Sequence, residues 1–328
     1  MRYSITGGSG FIGSSLGQSL HQAGERFRII DKRPSATFPD LVTLLDILDH
    51  DRLTQNLFGD TIFHLAAEHR DNVTPPERYD RVNVEGTRIL CRAASLRGIN
   101  RIIFTSSVAV YGFAEVDTDE TGPIHPINAY GASKYAAEQV LRAWASEAPQ
   151  TRSLTIIRPT VVFGPGNRGN VYALFRQIAL GRFIMVGRGE NRKSLAYIDN
   201  LVAFLRHAAQ AGPGVHLFNY VDTPDLTMHA LVSLARQVLR AKSGTGPALP
   251  LALGLGLGHL ADGLAKLTGR SLPVSAVRMR KFTANSSFTS RAHGHDGFSA
   301  PVSLEDGIHT TLQAEFLNPQ ARPIFYTE

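Results

Sequence analysis

The chain reads as an α/β protein, a doubly wound parallel sheet with a smaller α/β lobe, and three observations predict this. Short β-rich runs alternate with helical patterns, each run ends at a polar or glycine-rich turn, and the alternation breaks after Pro159. Strands separated by helix-length crossovers pair in parallel, and right-handed crossovers gather their carboxyl ends along one edge.

The first strand, Tyr3 to Thr6, runs into Gly7-Gly8-Ser9-Gly10-Phe11-Ile12-Gly13 and an apolar helix that continues to Leu20. Gly7 permits the tight turn, Gly10 lets the backbone approach a pyrophosphate, and Gly13 lets the helix pack on the strand. The helix start adds an anion site. The second strand, Phe27 to Asp31, ends in an acid placed to accept hydrogen bonds from adenosine ribose hydroxyls, which favours NAD over NADP, although Lys32 and Arg33 follow it. Thr61 to Leu65, Arg101 to Thr105 and Leu154 to Arg158 are the next strands, so Gly7, Asp31, His64, Ser107 and Arg158 are expected along one edge of a Rossmann-type sheet. Helical patterns cover Val84 to Leu96 and Tyr130 to Ala145. Beyond Pro159, Gly164 to Gly169 is a loop and Val171 to Leu180 a helix. The expected division is a dinucleotide-binding domain over 1–163, to which 196–222 returns, and a substrate lobe over 164–195 and 223–328.

That edge carries the chemistry. Tyr130 and Lys134 are four residues apart, hence on one helix face, and Ser107 lies upstream. An ammonium beside a phenol favours the phenolate near neutral pH, giving a base that takes the proton of an alcohol while its hydride leaves to a cofactor.

Composition bounds the rest. With 328 residues the chain can bury a large core. Cys91, the single cysteine, lies in a helical pattern, so disulfides and thiolate metal sites are excluded and a reducing, cytoplasmic compartment is expected; no secretory signal opens the chain. The twelve histidines show no ligand spacing, and no metal is expected. A formal charge of +6 suits acidic partners, but the cations are spread and no nucleic-acid motif occurs, so nucleic acid is not among them. The apolar, glycine-rich run Ala248 to Gly258 is too short to span a bilayer. With Leu260, Leu264 and Leu267 beyond it and Lys266, Arg270, Arg278, Arg280 and Lys281 nearby, it reads either as an element lying on an anionic membrane surface or as a helix packed in the lobe.

With these motifs in hand, the chain resembles the extended short-chain dehydrogenase/reductase family nearly end to end. Besides the glycine turn, the marks are Asp46-Ile47, His64-Leu65-Ala66-Ala67, Asn83-Val84-Glu85-Gly86-Thr87, Ser107 to Gly112, Arg158-Pro159-Thr160, Gly297-Phe298-x-x-Pro301 and Leu304 to Gly307. The resemblance implies catalysis by Ser107, Tyr130 and Lys134. It implies cofactor contacts from Gly7, Gly10, Phe11, Ile12, Gly13, Asp31, Lys32, Asp46, Ile47, Leu65, Ala66, Ala67, Asn83, Tyr130, Lys134, Arg158 and Pro159. Val108 and Ala109 stand where dehydratases of the family carry an Asp-Glu pair; neither transfers protons, which points to transient oxidation and re-reduction, as in the sugar 4-epimerases.

For the substrate, the resemblance implies Asn170, Lys193 and Arg278 around a diphosphate, and Ser107 and Val108 beside the sugar. Asn285 stands where galactose-selective members place a bulkier tyrosine, leaving room for an N-acetylhexosamine. Glu68 follows the cofactor-side strand and is expected at the sugar or nicotinamide; a polar loop residue is the plainer alternative. A narrower resemblance, carried by Ala66 to Asp71, Phe104 to Gly112, Arg152 to Thr160, Gly169 to Tyr172 and Lys281-Phe282, is to bacterial 4-epimerases of undecaprenyl-diphosphate-linked N-acetylglucosamine. It implies a lipid-linked sugar diphosphate ahead of a UDP-linked one, work at the inner face of the cytoplasmic membrane for surface polysaccharide synthesis, and a homodimer formed through the helices carrying Val84 to Leu96 and Tyr130 to Ala145.

Overall fold

The computed structural model describes residues 1–70, 73–239, 244–253, 256 and 284–327. In order these form β1 (Arg2–Thr6), α1 (Phe11–Gln22), β2 (Arg26–Asp31), β3 (Val42–Leu44), α2 (His50–Asn56), β4 (Thr61–His64) and α3 (Glu77–Tyr79). A π-helical segment (Asp80–Glu85) leads into α4 (Gly86–Leu96), followed by β5 (Arg101–Thr105), a 3-10 turn (Val108–Tyr111), α5 (Ala129–Ser146), β6 (Ser153–Pro159) and β7 (Val161–Phe163). Then come α6 (Asn170–Ala179), β8 (Met185–Val186), β9 (Arg192–Lys193), β10 (Leu195–Tyr197), α7 (Ile198–Ala208), β11 (Gly214–Tyr220), β12 (Leu226–Thr227), α8 (Met228–Val238), β13 (Ala248–Leu249) and α9 (Leu304–Leu312).

Seven strands make one sheet in the order β11-β6-β5-β4-β1-β2-β3, every pair parallel. The order reverses between β1 and β4, and there a crevice opens past the strand ends. Every residue of β4 and β6 is buried, the mark of strands covered on both faces, and their apolar residues accordingly show no strict alternation. One face is closed by Leu53, Leu90, Leu141 and Trp144 of α2, α4 and α5. On the other, Leu16 and Leu20 of α1 and Leu201 and Phe204 of α7 belong to a core that continues through Phe175 of α6, Val232 of α8 and Ile308 of α9. Helices α6, α8 and α9 therefore share one hydrophobic core with the sheet.

The helix starts follow from their caps. Asn128 accepts from Gly131 N at 2.8 Å before α5, Thr227 from Ala230 N at 3.1 Å before α8, and Ser303 from Asp306 N at 3.1 Å before α9. Two helices begin instead at a glycine with no side-chain cap, α1 at Gly10 and α6 at Gly169. Cys91 is buried in α4, and burial pushes its thiol up to about 12, so it is a packing residue without nucleophilic character. Of the apolar run, Ala248 and Leu249 pair with Met185 and Val186, and residues 251–253 are helical; residues 254–255 and 257–283 lie outside the described part, and with them Lys266, Arg270, Arg278, Arg280 and Lys281.

Candidate active site

The glycine turn is shaped for something flat and anionic. Gly7 has φ +73, and its N–H donates to Ile30 O at 2.9 Å, tying the turn to β2. A Cβ there would stand 2.6 Å from Ala66 N, and one at Gly13 would stand 2.5 Å from Gly8 Cα. Bare backbone thus lines the space between the ends of β1 and β4, under Leu65 and Ala66. Asp31, at the end of β2, accepts from Ser9 N and Arg33 N, both at 3.0 Å, and each of its oxygens keeps a lone pair for a further donor. Asp46 accepts from Leu48 N at 3.0 Å, while Ile47 is buried against Gly86. Lys32 is exposed at the rim. An uncapped helix start, a side-chain-free cradle and an acid beyond it fit a dinucleotide. Replacing Gly7 by Ala puts a Cβ against backbone at a left-handed φ; the NAD dissociation constant measured by calorimetry is expected to rise about tenfold or more.

Ser107 follows β5 with extended backbone, and its Oγ accepts from Ala109 N at 3.1 Å, capping the 3-10 turn that holds Val108 and Ala109. The first turn of α5 rests directly on that turn, because Gly131 has no side chain: a Cβ would meet Ala109 O at 2.5 Å. This contact brings the segment carrying Tyr130 against the one carrying Ser107. Tyr130 is half-buried, its ring 6.3 Å from that of Tyr79. Ser133 Oγ donates to Tyr130 O at 2.8 Å and accepts from Asn83 Nδ2 at 2.8 Å, which fixes the turn between Tyr130 and Lys134.

Lys134 is 2% exposed, with Nζ 4.3 Å from the centre of the Phe104 ring. Burial pulls its ammonium down to about 7, against the opposing pull of Glu138. Unfolded lysine keeps its proton to about pH 10.4. Between pH 7 and that value the unfolded chain binds the extra proton, so stability rises with pH across the window and the cost of the buried charge is fully present below it. Lys134→Met in cofactor-free protein is therefore expected to melt about 5 °C or more above the parent at pH 6, with the gap shrinking as pH rises toward 10. Equal melting temperatures at pH 6 would sink this account of Lys134.

The pattern of Tyr130 and Lys134 continues to Glu138, one turn further along the same buried face. Glu138 is fully buried and accepts from Ser106 Oγ at 2.5 Å and from Arg158 Nε and Nη2 at 2.9 and 2.6 Å. Arg158 Nη1 donates to Tyr111 OH at 2.8 Å, and Tyr111 OH donates to Asn219 Oδ1 at 2.8 Å. Burial opposes the Arg158 charge, but the Glu138 hydrogen bonds and charge hold it above the ordinary arginine range. The side chain of Arg158, a residue expected at the cofactor, lies within this buried network. Its guanidinium is committed to Glu138 and Tyr111 and ties β6 to α5 and the 3-10 turn, leaving only backbone, with that of Pro159, at the strand end.

Asn83 is likewise committed. In the π-helical segment it accepts from Glu68 N at 2.7 Å and spends both amide hydrogens on Glu68 O and Ser133 Oγ, so it clamps the loop after β4 to α5. His64 is bonded through its ring to Thr6 and Thr87 hydroxyls at 2.8 and 2.9 Å; burial, with the Lys134 charge, pushes it down to about 3, a neutral core histidine. Glu68 is 4% exposed and paired with Arg70 at 3.2 Å and Arg78 at 3.1 Å.

Further along the chain, Lys193 Nζ donates to Ala284 O at 2.7 Å and burial lowers it to about 8; Asn285 Oδ1 accepts from Arg192 N at 2.8 Å. Lys193 bridges Ser286, so Lys193 and Asn285 share one strip. Beside it opens a cleft of about 730 Å³ between Val186–Asn191 and Ala248–Leu251. Asn170 is exposed at the first position of α6. Arg278 lies outside the described residues. No group of three or more His, Cys, Asp or Glu side chains among the described residues is placed to hold a metal.

Residues 3–220 match the model of the NAD dependent epimerase/dehydratase family. The chain is 45% identical, over 98% of its length and 97% of the relative's, to the N-acetyl-alpha-D-glucosaminyl-diphospho-ditrans,octacis-undecaprenol 4-epimerase of Escherichia coli O157:H7. Among solved structures, the UDP-glucose 4-epimerase of Thermotoga maritima with UDP-glucose superposes with a TM-score of 0.75 at 24% identity, covering 95% of this chain and 98% of that one. A UDP-N-acetylglucosamine 4-epimerase from Methanobrevibacter ruminantium M1, in complex with UDP-N-acetylmuramic acid, gives 0.75 at 21% identity, covering 95% and 97%.

Proposed function

The chain belongs to the NAD dependent epimerase/dehydratase family, and from that membership we propose that it is a 4-epimerase of a polyprenyl-diphosphate-linked N-acetylhexosamine, interconverting the GlcNAc and GalNAc forms for surface polysaccharide synthesis. NAD, when bound, supplies the acceptor and donor of the C4 hydride. Gly7, Gly10, Phe11, Ile12 and Gly13 cradle its pyrophosphate, Asp31 and Lys32 lie at the ribose, Asp46 and Ile47 at the adenine, and Leu65, Ala66 and Ala67 beneath it.

Tyr130 takes the proton of the C4 hydroxyl as C4 becomes a ketone, and returns it after the sugar has presented its other face. Ser107 holds the C4 oxygen by hydrogen bonding, and the Lys134 ammonium, one helical turn away, stabilises negative charge on the phenolic oxygen. Val108 and Ala109 have no group that moves a proton, so nothing beside Ser107 promotes loss of water from the keto sugar. Asn170 and Lys193 hold the diphosphate, with Arg278, and Asn285 leaves space for the N-acetyl group.

The observation that carries the substrate is the 45% identity over 98% of the chain: it extends over residues 223–328, which the family model, ending at residue 220, does not reach. Cofactor traffic tests the reaction class. The purified enzyme is expected to convert sugar without added NAD and without steady accumulation of NADH. Stoichiometric NADH release would identify a net oxidoreductase instead.

A lipid-linked substrate places the enzyme at the inner face of the cytoplasmic membrane. No helix among the described residues is long and apolar enough to cross it. Leu251 and Leu253, 44% and 59% exposed, are suited to lie against lipid. A Leu251→Asp/Leu253→Asp variant is expected to lose flotation with anionic liposomes; a parent protein that stays wholly in the soluble fraction would refute membrane contact. A homodimer through α4 and α5 would cover Leu96, which is 68% exposed.

A further inference from the structure

Residues 323–327 cross back over the loop between β7 and α6 and touch the glycine turn as well. Phe325 N donates to Gly166 O at 2.9 Å, and Arg168 N donates to Phe325 O at 2.8 Å. Thr327 Oγ1 donates at 2.9 Å to Asn167 Oδ1, the oxygen that also accepts from Gly169 N at 2.7 Å immediately before α6. The approach is close: a Cβ on Gly169 would meet Thr327 Oγ1 at 2.6 Å, and one on Gly166 would meet Pro323 O at 2.8 Å. On its other side the Phe325 ring lies 5.8 Å from that of Phe11, the first residue of α1. Glu315 holds the same loop from below, accepting from Gly166 N at 2.6 Å and pairing with Arg168.

Two pieces of the site that the sheet does not join directly, the start of α1 and the start of α6, are thus both held by this segment, in addition to the direct approach of Phe11 to Gly164. We propose that residues 323–327 form a strap that fixes the glycine turn relative to Asn170, with Phe325 a positioning residue for the cofactor and Thr327 one for the sugar diphosphate. The proposal rests on Phe11 lying at the NAD pyrophosphate and Asn170 at the substrate diphosphate. Phe325 acts by filling the space beside Phe11, so the start of α1 keeps its N–H groups aimed into the cradle. Thr327 acts through Asn167, whose carbonyl oxygen sets the Gly169 N–H and with it the first turn of α6.

The test uses Phe325→Ala, Phe325→Leu and Thr327→Val in the full chain, with calorimetric NAD binding, steady-state kinetics on polyprenyl-diphosphate GlcNAc, and hydrogen exchange of the cofactor-free protein. Phe325→Ala is expected to raise the NAD dissociation constant about tenfold, with kcat at saturation within about twofold, and Phe325→Leu to restore most of the affinity. Thr327→Val is expected to raise KM for the sugar about fivefold while leaving NAD affinity unchanged. Amides of residues 164–172 are expected to exchange faster in Phe325→Ala. That acceleration supports the strap even in a protein that turned over no sugar, so failure of the functional reading shows separately. A fall in melting temperature with unchanged exchange, NAD affinity and KM would overturn the proposal.

Discussion

Tyr130→Phe is expected to lower kcat for epimerisation about a thousandfold while NAD stays bound, because the change deletes the one oxygen proposed to take the C4 hydroxyl proton. The helix is held by other groups. Its start is capped by Asn128, its first turn is seated by Gly131 on Ala109 O, and its buried face is anchored by Ala137, Glu138 and Leu141. In the proposed mechanism the hydroxyl is the proton acceptor, on the helix turn that rests against the turn capped by Ser107. The contrast with Lys134→Met is informative. That variant also loses activity but gains stability below pH 7, since it removes a buried ammonium rather than a half-buried phenol. Single-turnover kinetics with the NAD content of each variant measured in parallel separates lost chemistry from lost cofactor. A Tyr130→Phe enzyme within about tenfold of the parent would remove tyrosine from the role of base.

The second large effect is on stability, at a residue that touches neither cofactor nor sugar. Glu138→Leu leaves the Arg158 guanidinium, whose side chain is 3% exposed, buried without its carboxylate and orphans the Ser106 hydroxyl. Breaking a buried pair from one side costs about 3–5 kcal/mol. For a chain of this size that lowers the melting temperature on the order of 10 °C. Removing both charges, in Glu138→Leu/Arg158→Met, is expected to recover most of the loss, because two apolar side chains of similar volume leave no unpaired charge. Thermal melts of the parent, both single variants and the double variant close the cycle. A double variant as unstable as the sum of the singles would show that the pair is not coupled.

What could be read from the sequence divides along physical lines. The strand and helix order was legible because fully buried parallel strands are uninterrupted apolar runs, as in Ile102 to Phe104, and because the helices between them carry clear periodicity. The glycine turn was legible because Gly7 and Gly13 are required by backbone contacts shorter than any Cβ allows. Positions four apart on α5 were legible for Tyr130 and Lys134; Glu138, one turn further on the same face, was not read from the sequence. What the sequence could not supply was the partner of Glu138. Arg158 lies 20 residues away on β6, and only the packing of α5 on the sheet brings its guanidinium to Glu138. The resemblance implies Arg158 at the cofactor but says nothing of the network that its side chain makes with Glu138 and Tyr111. The strap was invisible for the same reason. Phe325 reaches Phe11 only through the fold, and nothing in the local pattern of residues 318–327 marks it.

The most direct test of the whole account is to offer the purified enzyme polyprenyl-diphosphate GlcNAc and UDP-GlcNAc in separate reactions without added NAD, and to separate the epimers released from each by chromatography. Conversion of the lipid-linked sugar to its GalNAc epimer, with no net NADH, is the predicted result. Conversion of UDP-GlcNAc alone would contradict it.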